Sequence, residues 1–267
     1  MVNRALDIPM VEISQVSKEY RTASGPVRAL DNASLAIRDG EFVSIVGPSG
    51  CGKSTLMLIT AGLVPATSGT ARVAGAEVRA PYGEVGIVFQ DPTLYEWRRV
   101  LENVLLPVDI QKLPRERFRS RALDLLELVG LKGFERHYPY QLSGGMRQRV
   151  ALCRALVHDP ALLLMDEPFG ALDALSRDQM TLELQSIWQK HRKTVLFITH
   201  SIPEAVLLSD RVVVMSPRPG RVGAVIDIQL PRPRSLDFAE TPEFGRYAKE
   251  IRGLFESWGV LHSGAKT

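Results

Sequence analysis

The sequence predicts an α/β fold with a largely parallel sheet, an antiparallel β layer at its start and a helical insertion. Three observations carry this. Strand-like and helix-like segments alternate through most of the 267 residues, the pattern of a parallel sheet. The apolar runs 85–89, 161–165, 195–199 and 212–215 are short, unalternating and aliphatic, as strands buried on both faces are. From about residue 92 to 160 helical periodicity replaces any strand signal.

Taken in order, residues 11–16, 33–38 and 41–46 read as strands, and only the Asp39-Gly40 turn signal separates the last two. Hairpin-type antiparallel pairing is therefore expected, with 70–74 extending the layer. Next comes Gly47-Pro48-Ser49-Gly50-Cys51-Gly52-Lys53-Ser54-Thr55, which fits G-x-x-x-x-G-K-[ST] and lies between a strand and a helical run ending at Gly62. Its glycines let successive N–H groups turn toward anionic oxygens, and the helix start adds positive potential. Lys53 supplies a mobile charge for terminal phosphates, and the Ser54 hydroxyl is placed to ligate Mg²⁺. Cys51 reads as a small filler in this loop.

Within the insertion, Phe118, Ala122, Leu125, Leu126 and Val129 give one apolar helical face. That helix opens with Arg115, Arg117, Arg119 and Arg121, either a solvated face or a contact for an acidic partner or lipid headgroups. Ser143 reads as the N-cap of a helix running through Val150, Leu152 and Ala155, with Gly144 and Gly145 exposing N–H groups; it is a second phosphate-ready start or a plain capped helix. The run 162–165 ends in Asp166 and Glu167, at the carboxyl edge where ligands of open α/β sheets bind. Asp166 suits Mg²⁺ and Glu167 suits the attacking water. Gln90 and His200 also follow strands, so both belong to that edge. Pro217–Gly220 and Pro231–Arg234 have linker-like composition. Beyond them Phe244, Tyr247, Ile251, Leu254, Phe255 and Trp258 define an amphipathic helix, to dock on its own domain or to meet a partner.

Composition excludes several classes. Charges of 33 Lys+Arg against 30 Asp+Glu are too even for a dedicated nucleic-acid binder. No apolar run approaches the roughly 20 residues a membrane span needs, so no span is expected. The start of the chain, with Arg4 and Asp7, shows no secretory block, and two distant cysteines make no disulfide framework; a cytoplasmic home is expected.

The combined motifs resemble the nucleotide-binding subunit of an ATP-binding cassette (ABC) transporter. They comprise the Walker A loop Gly47 to Thr55, Gln90 of the Q-loop, the signature Leu142-Ser143-Gly144-Gly145-Met146, Walker B through Asp166 and Glu167, the D-loop Ala171-Leu172-Asp173 and His200 of the switch. The resemblance implies a P-loop NTPase (RecA-like) core, an antiparallel β subdomain and a helical subdomain in one cassette over 1–267. Residues 1–91 and 161–220 would form the core and β subdomain, 92–160 the signature subdomain and 221–267 a C-terminal extension. It implies ATP and Mg²⁺ as ligands, with Tyr20 stacking on adenine, Ser54, Gln90 and Asp166 toward the metal, and Glu167, His200, Lys53 and Gln90 in catalysis. Ser143, Gly144, Gly145 and Asp173 would meet nucleotide in a head-to-tail dimer of two copies. Partners implied are transmembrane permease subunits on the inner face of the membrane and, indirectly, an extracytoplasmic solute-binding protein, with no nucleic acid. Residues 88–94, 101–104, 166–173 and 215–220 are similar to ATPase subunits of the nitrate, sulfonate and taurine importer group. Two departures stand out, Met146 where Gln is usual and Glu96 before Trp97 where Pro is frequent. The alternative, a cassette of DNA repair or translation, would require a long heptad insertion or two tandem cassettes; the interval from Gln90 to Leu142 is short and Walker A occurs once.

Overall fold

Burial that alternates along residues 25–37 and becomes continuous along 42–46 marks two kinds of strand in the first fifth of the chain. The computed structural model describes residues 8–261; Arg4 and Asp7 lie outside the described residues. In chain order its elements are β1 Val11–Thr22, β2 Gly25–Ile37, β3 Phe42–Val46, α1 Lys53–Thr60, β4 Ser68–Val73, β5 Ala76–Glu77, β6 Val85–Val88, α2 Val100–Val104, α3 Leu106–Ile110, α4 Arg115–Leu128, α5 Gly144–Leu156, β7 Leu162–Asp166, α6 Ala174–His191, β8 Thr194–Ile198, α7 Ile202–Leu208, β9 Arg211–Met215, β10 Val222–Asp227 and α8 Pro242–Ser257. Two compact units contain them, Met1–Pro81 with Thr194–Thr267, and Tyr82–Lys193.

The first unit holds an antiparallel sheet in the order β2-β1-β4-β5. It also holds strands in the order β10-β9-β3-β8, where β3 runs parallel to both β8 and β9. This corrects the expected pairing across Asp39-Gly40. The turn is real, with Gly40 at φ 68°, but it carries the chain out of one sheet into the other. The reason lies in side-chain burial: β2 presents one apolar face, whereas all five residues of β3 are buried and require strands on both sides. Residues 68–73 extend the antiparallel layer against β1, as expected.

The proline-rich stretches are not linkers. Pro217–Gly220 joins β9 to β10, and Gly220 is buried where a Cβ would overlap the Cys51 carbonyl oxygen. In the second stretch Arg234 is 1% exposed, and its guanidinium donates to the carbonyls of Val206 at 2.7 Å, Ser209 at 2.8 Å and Leu230 at 3.0 Å. It thus satisfies orphan acceptors at the end of α7. Burial pushes its pKa down to about 10. The terminal stripe docks on its own unit: Phe244, Tyr247, Ile251 and Phe255 pack with Ala205, Val212, Val214 and Ile226.

The second unit contains the parallel pair β6 and β7, registered from Val85↔Leu162 to Val88↔Met165. Helices α2–α6 belong to it, and no strand occurs among its residues 92–160. On α4 the face Ala122, Leu125 and Leu126 is buried, while Arg115, Arg117 and Arg119 are exposed. Among the described residues no helix is long and apolar enough to cross a membrane. Cys51 and Cys153 are buried free thiols.

Candidate active site

In the first unit, β3 delivers the chain into the Gly47-to-Thr55 loop and α1 leaves it. Gly52, the N-cap, has φ 99° and ψ 11°, with no side chain accepting a hydrogen bond from the first turn. Only glycine fits there, because a Cβ would stand 2.8 Å from the Ala29 carbonyl oxygen and 2.7 Å from Leu30 Cδ2. The helix's first N–H groups therefore remain available to an anion, at its positive pole. Lys53 is 4% exposed, its Nζ donating to the carbonyls of Gly47 at 2.9 Å and Pro48 at 3.1 Å. An ammonium held over the loop by two neutral acceptors, without a carboxylate neutralising it in those contacts, keeps its charge for an incoming anion. Ser54 is exposed. Cys51 is fully buried and burial pushes its thiol up, so it is a poor nucleophile and serves as packing, as expected.

Tyr20, near the end of β1, places its hydroxyl 3.4 Å from Thr55 Oγ1, and Lys18 Nζ lies 5.1 Å from its ring centroid. Its ring thus stands beside the first turn of α1. His200 is exposed just beyond β8, whose neighbour β3 feeds the phosphate loop. Sequence reading missed the residues that order the turn carrying it. Thr199 Oγ1 donates to Glu204 Oε2 at 2.6 Å and accepts from the Ser201 amide at 3.0 Å, while Ser201 Oγ caps α7 through the Glu204 amide at 3.3 Å. Thr199 and Glu204 are buried, 4% and 8% exposed. The Ser201-x-x-Glu204 spacing was the available signal, being that of a capping box.

In the second unit, Gln90 follows β6, and its Nε2 donates to Glu167 Oε2 at 3.5 Å. Glu167 itself has φ 46°, a left-handed conformation that non-glycine residues rarely adopt and that concentrates at functional sites. Asp166 ends β7, and its Oδ1 is buried without a hydrogen-bond partner. A carboxylate oxygen left so is an acceptor in want of a cation, and it fits Mg²⁺, which takes one or two protein carboxylates and completes its shell with water and phosphate oxygens. Ser143 caps α5, its Oγ accepting from the Met146 amide at 3.3 Å. Gly144 is exposed, and a Cβ there would meet nothing within 4 Å. Asp173 caps α6 through the Ser176 amide at 3.0 Å, and hydrogen bonding from Ser176 holds its carboxyl below the usual range. Within each unit, then, Tyr20 is brought to the phosphate loop and Gln90 to Glu167, whereas Ser143 and Asp173 are used locally as caps.

The family model described as ABC transporter matches residues 30–170, more than half of the chain. The chain belongs to the ABC transporter family. Relatives of this cassette include an uncharacterized ABC transporter ATP-binding protein of Methanocaldococcus jannaschii, 46% identical over 92% of this chain and 91% of its own length. The taurine import ATP-binding protein TauB of Rhizobium johnstonii is 45% identical, over 96% and 100%. The aliphatic sulfonates import ATP-binding protein SsuB of Bacillus cereus is 40% identical, over 95% and 98%. A solved dimeric structure of the ATP-binding cassette MJ0796, in a post-hydrolysis state with ADP and Pi, is 34% identical with a TM-score of 0.74, covering 83% of this chain and all of that one. The P-loop NTPase fold predicted from the motifs is the fold found, and the cassette binds and hydrolyses ATP.

Proposed function

We propose that this cassette is the subunit that energises a membrane importer for a small sulfonate such as taurine, working as a head-to-tail dimer of two copies against transmembrane permease subunits on the inner face of the membrane. The observation that carries the nucleotide reading is the open start of α1, with left-handed Gly52 and the buried Lys53 ammonium over it. The names of the taurine and aliphatic sulfonate relatives support the solute class, and with importer subunits among them a cassette of DNA repair or translation is not favoured.

In this reading Tyr20 takes adenine and the backbone N–H groups of the loop Gly47 to Thr55, Pro48 having none, take the phosphates. Lys53 exchanges its carbonyl partners for phosphate oxygens as its charge meets theirs. Ser54, Gln90 and Asp166 would hold Mg²⁺, which when bound offsets charge on the transferred phosphoryl group. Glu167, kept in place by Gln90, orients the attacking water and takes its proton. His200 donates to the γ-phosphate, while Ser143, Gly144, Gly145 and Asp173 of one copy serve the nucleotide of the other. Residues 92–160 act as the signature subdomain and 221–267 as an extension of the core. Receipt of solute from an extracytoplasmic binding protein belongs to the same reading.

Glu167→Gln tests it. The carboxamide keeps the shape and a hydrogen bond but cannot accept the proton. Nucleotide binding should persist, hydrolysis should fall by about 10²- to 10⁴-fold, and ATP-bound dimer should accumulate on size exclusion. Wild-type turnover would remove Glu167 from its role. The solute is tested by co-purifying the permease and comparing ATPase stimulation by its binding protein loaded with taurine, longer alkanesulfonates or nitrate.

A further inference from the structure

The residues around Gln90 contain a strained point and an explanation for its persistence. Thr93 has φ 46°, and for a β-branched side chain this is an outlier, since Cβ substituents crowd the backbone in the left-handed region. Its amide bonds Asp91 Oδ1 at 3.2 Å, which shapes the turn locally. The rest of the restraint comes from 61 residues away in sequence. Arg154, in the last turn of α5, donates from Nη2 to the Pro92 carbonyl at 2.7 Å, from Nη1 to the Thr93 carbonyl at 2.9 Å and from Nη2 to Thr93 Oγ1 at 3.3 Å. Burial lowers the guanidinium's pKa by taking the charge out of water, and the carbonyl and hydroxyl oxygens it donates to offset part of that cost. On the other side of Gln90, the buried Gln148 of α5 donates to the Phe89 carbonyl at 3.4 Å. Gln90 therefore sits on a span tied at both ends to one helix, the helix whose N-cap is Ser143.

We propose that Arg154 is a positioning residue for Gln90, holding Thr93 left-handed so that the 89–93 segment and the Ser143 end of α5 move as one body. This rests on the reading of Gln90 as part of the hydrolytic site. A planar fork suits this role, because its two terminal nitrogens reach two successive carbonyls and a hydroxyl at once, which a lysine ammonium on a flexible stem cannot reproduce. With the fork in place, a displacement of Ser143 toward a phosphate carries the Gln90 backbone with it. Without it, Thr93 relaxes to negative φ and Gln90 drifts from Glu167.

The experiment measures steady-state ATP hydrolysis and equilibrium binding of a non-hydrolysable ATP analogue by the purified full-length chain. Arg154→Met should lower kcat about tenfold or more, as a displacement of about 1 Å near a reacting centre does, while analogue affinity stays within about twofold because the phosphate loop is untouched. Arg154→Lys should fall between Met and wild type; if Arg154→Met does not fold, the lysine variant is read in its place. Adding Thr93→Asn to Arg154→Met should recover most of the lost kcat, because asparagine adopts the left-handed conformation at little cost. A staple that served only stability would not be rescued there. Combining Arg154→Met with Gln90→Ala should lose no more than Gln90→Ala alone. Wild-type kcat in Arg154→Met, absence of rescue by Thr93→Asn, or losses that multiply in the double variant would overturn the tether. Full kcat in Gln90→Ala alone would instead overturn the underlying reading of Gln90, and the tether with it.

Discussion

Helix α1 starts on a left-handed Gly52 with no side chain accepting its first N–H groups, whereas α5 starts on Ser143, whose hydroxyl already accepts from the Met146 amide. Both are glycine-rich helix starts with a positive pole, and both read from sequence as phosphate-ready. The difference lies in what each does with its orphan donors. The α1 start is built around a buried lysine and close backbone packing, so it is of little use except as an anion cradle. At the α5 start one N–H is already accepted by Ser143 and Gly144 is exposed, which suits a surface that engages an anion only part of the time. In the head-to-tail dimer proposed above, a permanent cradle on one copy and an intermittent clamp on the other would bind in sequence, nucleotide first and dimer second.

The sharpest way to break this contrast is Gly52→Ala. The methyl group meets the Ala29 carbonyl, and the left-handed backbone costs about 1–3 kcal/mol by itself. ATP affinity, measured calorimetrically, should fall more than about 100-fold, since each factor of ten corresponds to about 1.4 kcal/mol. Ser143→Ala should have a smaller and differently distributed effect. Loss of the cap should destabilise α5 by about 1 kcal/mol in thermal unfolding. Hydrolysis should drop about tenfold at saturating ATP, and ATP affinity of the isolated chain should not change. If Ser143→Ala weakens ATP binding as strongly as Gly52→Ala, the distinction between cradle and clamp fails. The smallest effect is expected from Met146→Gln, which restores the usual residue at the end of the signature. Only the Met146 amide is used by the cap, so turnover within about twofold of wild type is expected.

These two starts were legible in the sequence because spacing determines them: a strand, glycines at fixed intervals, a lysine and a helical run for α1, and a serine, two glycines and an apolar helical run for α5. The carboxyl-edge residues were legible for the same reason, since the end of an apolar run fixes where Asp166, Gln90 and His200 fall. Pairing was not. Asp39-Gly40 announces a turn but not its destination, and the deciding cue was the shift from alternating to continuous burial between β2 and β3. Strand β10 escaped notice because its half-exposed pattern sits among prolines that read as linker. Arg234 and Arg154 escaped because an arginine is expected in water, and what buries each is a set of backbone carbonyls that no side-chain motif marks. Glu204 escaped because its partner Thr199 forms the buried contact only once α7 has folded back.

Strand β3 has consequences for the order in which the chain is made. Its neighbours β8 and β9 come from residues 194–215, so the strand that feeds the phosphate loop emerges from the ribosome about 150 residues before either flank exists. The unit Tyr82–Lys193 is continuous in sequence and complete earlier. During synthesis the apolar 42–46 segment must therefore wait with both edges unpaired, a burden carried by the nascent chain and its chaperones rather than by the finished enzyme.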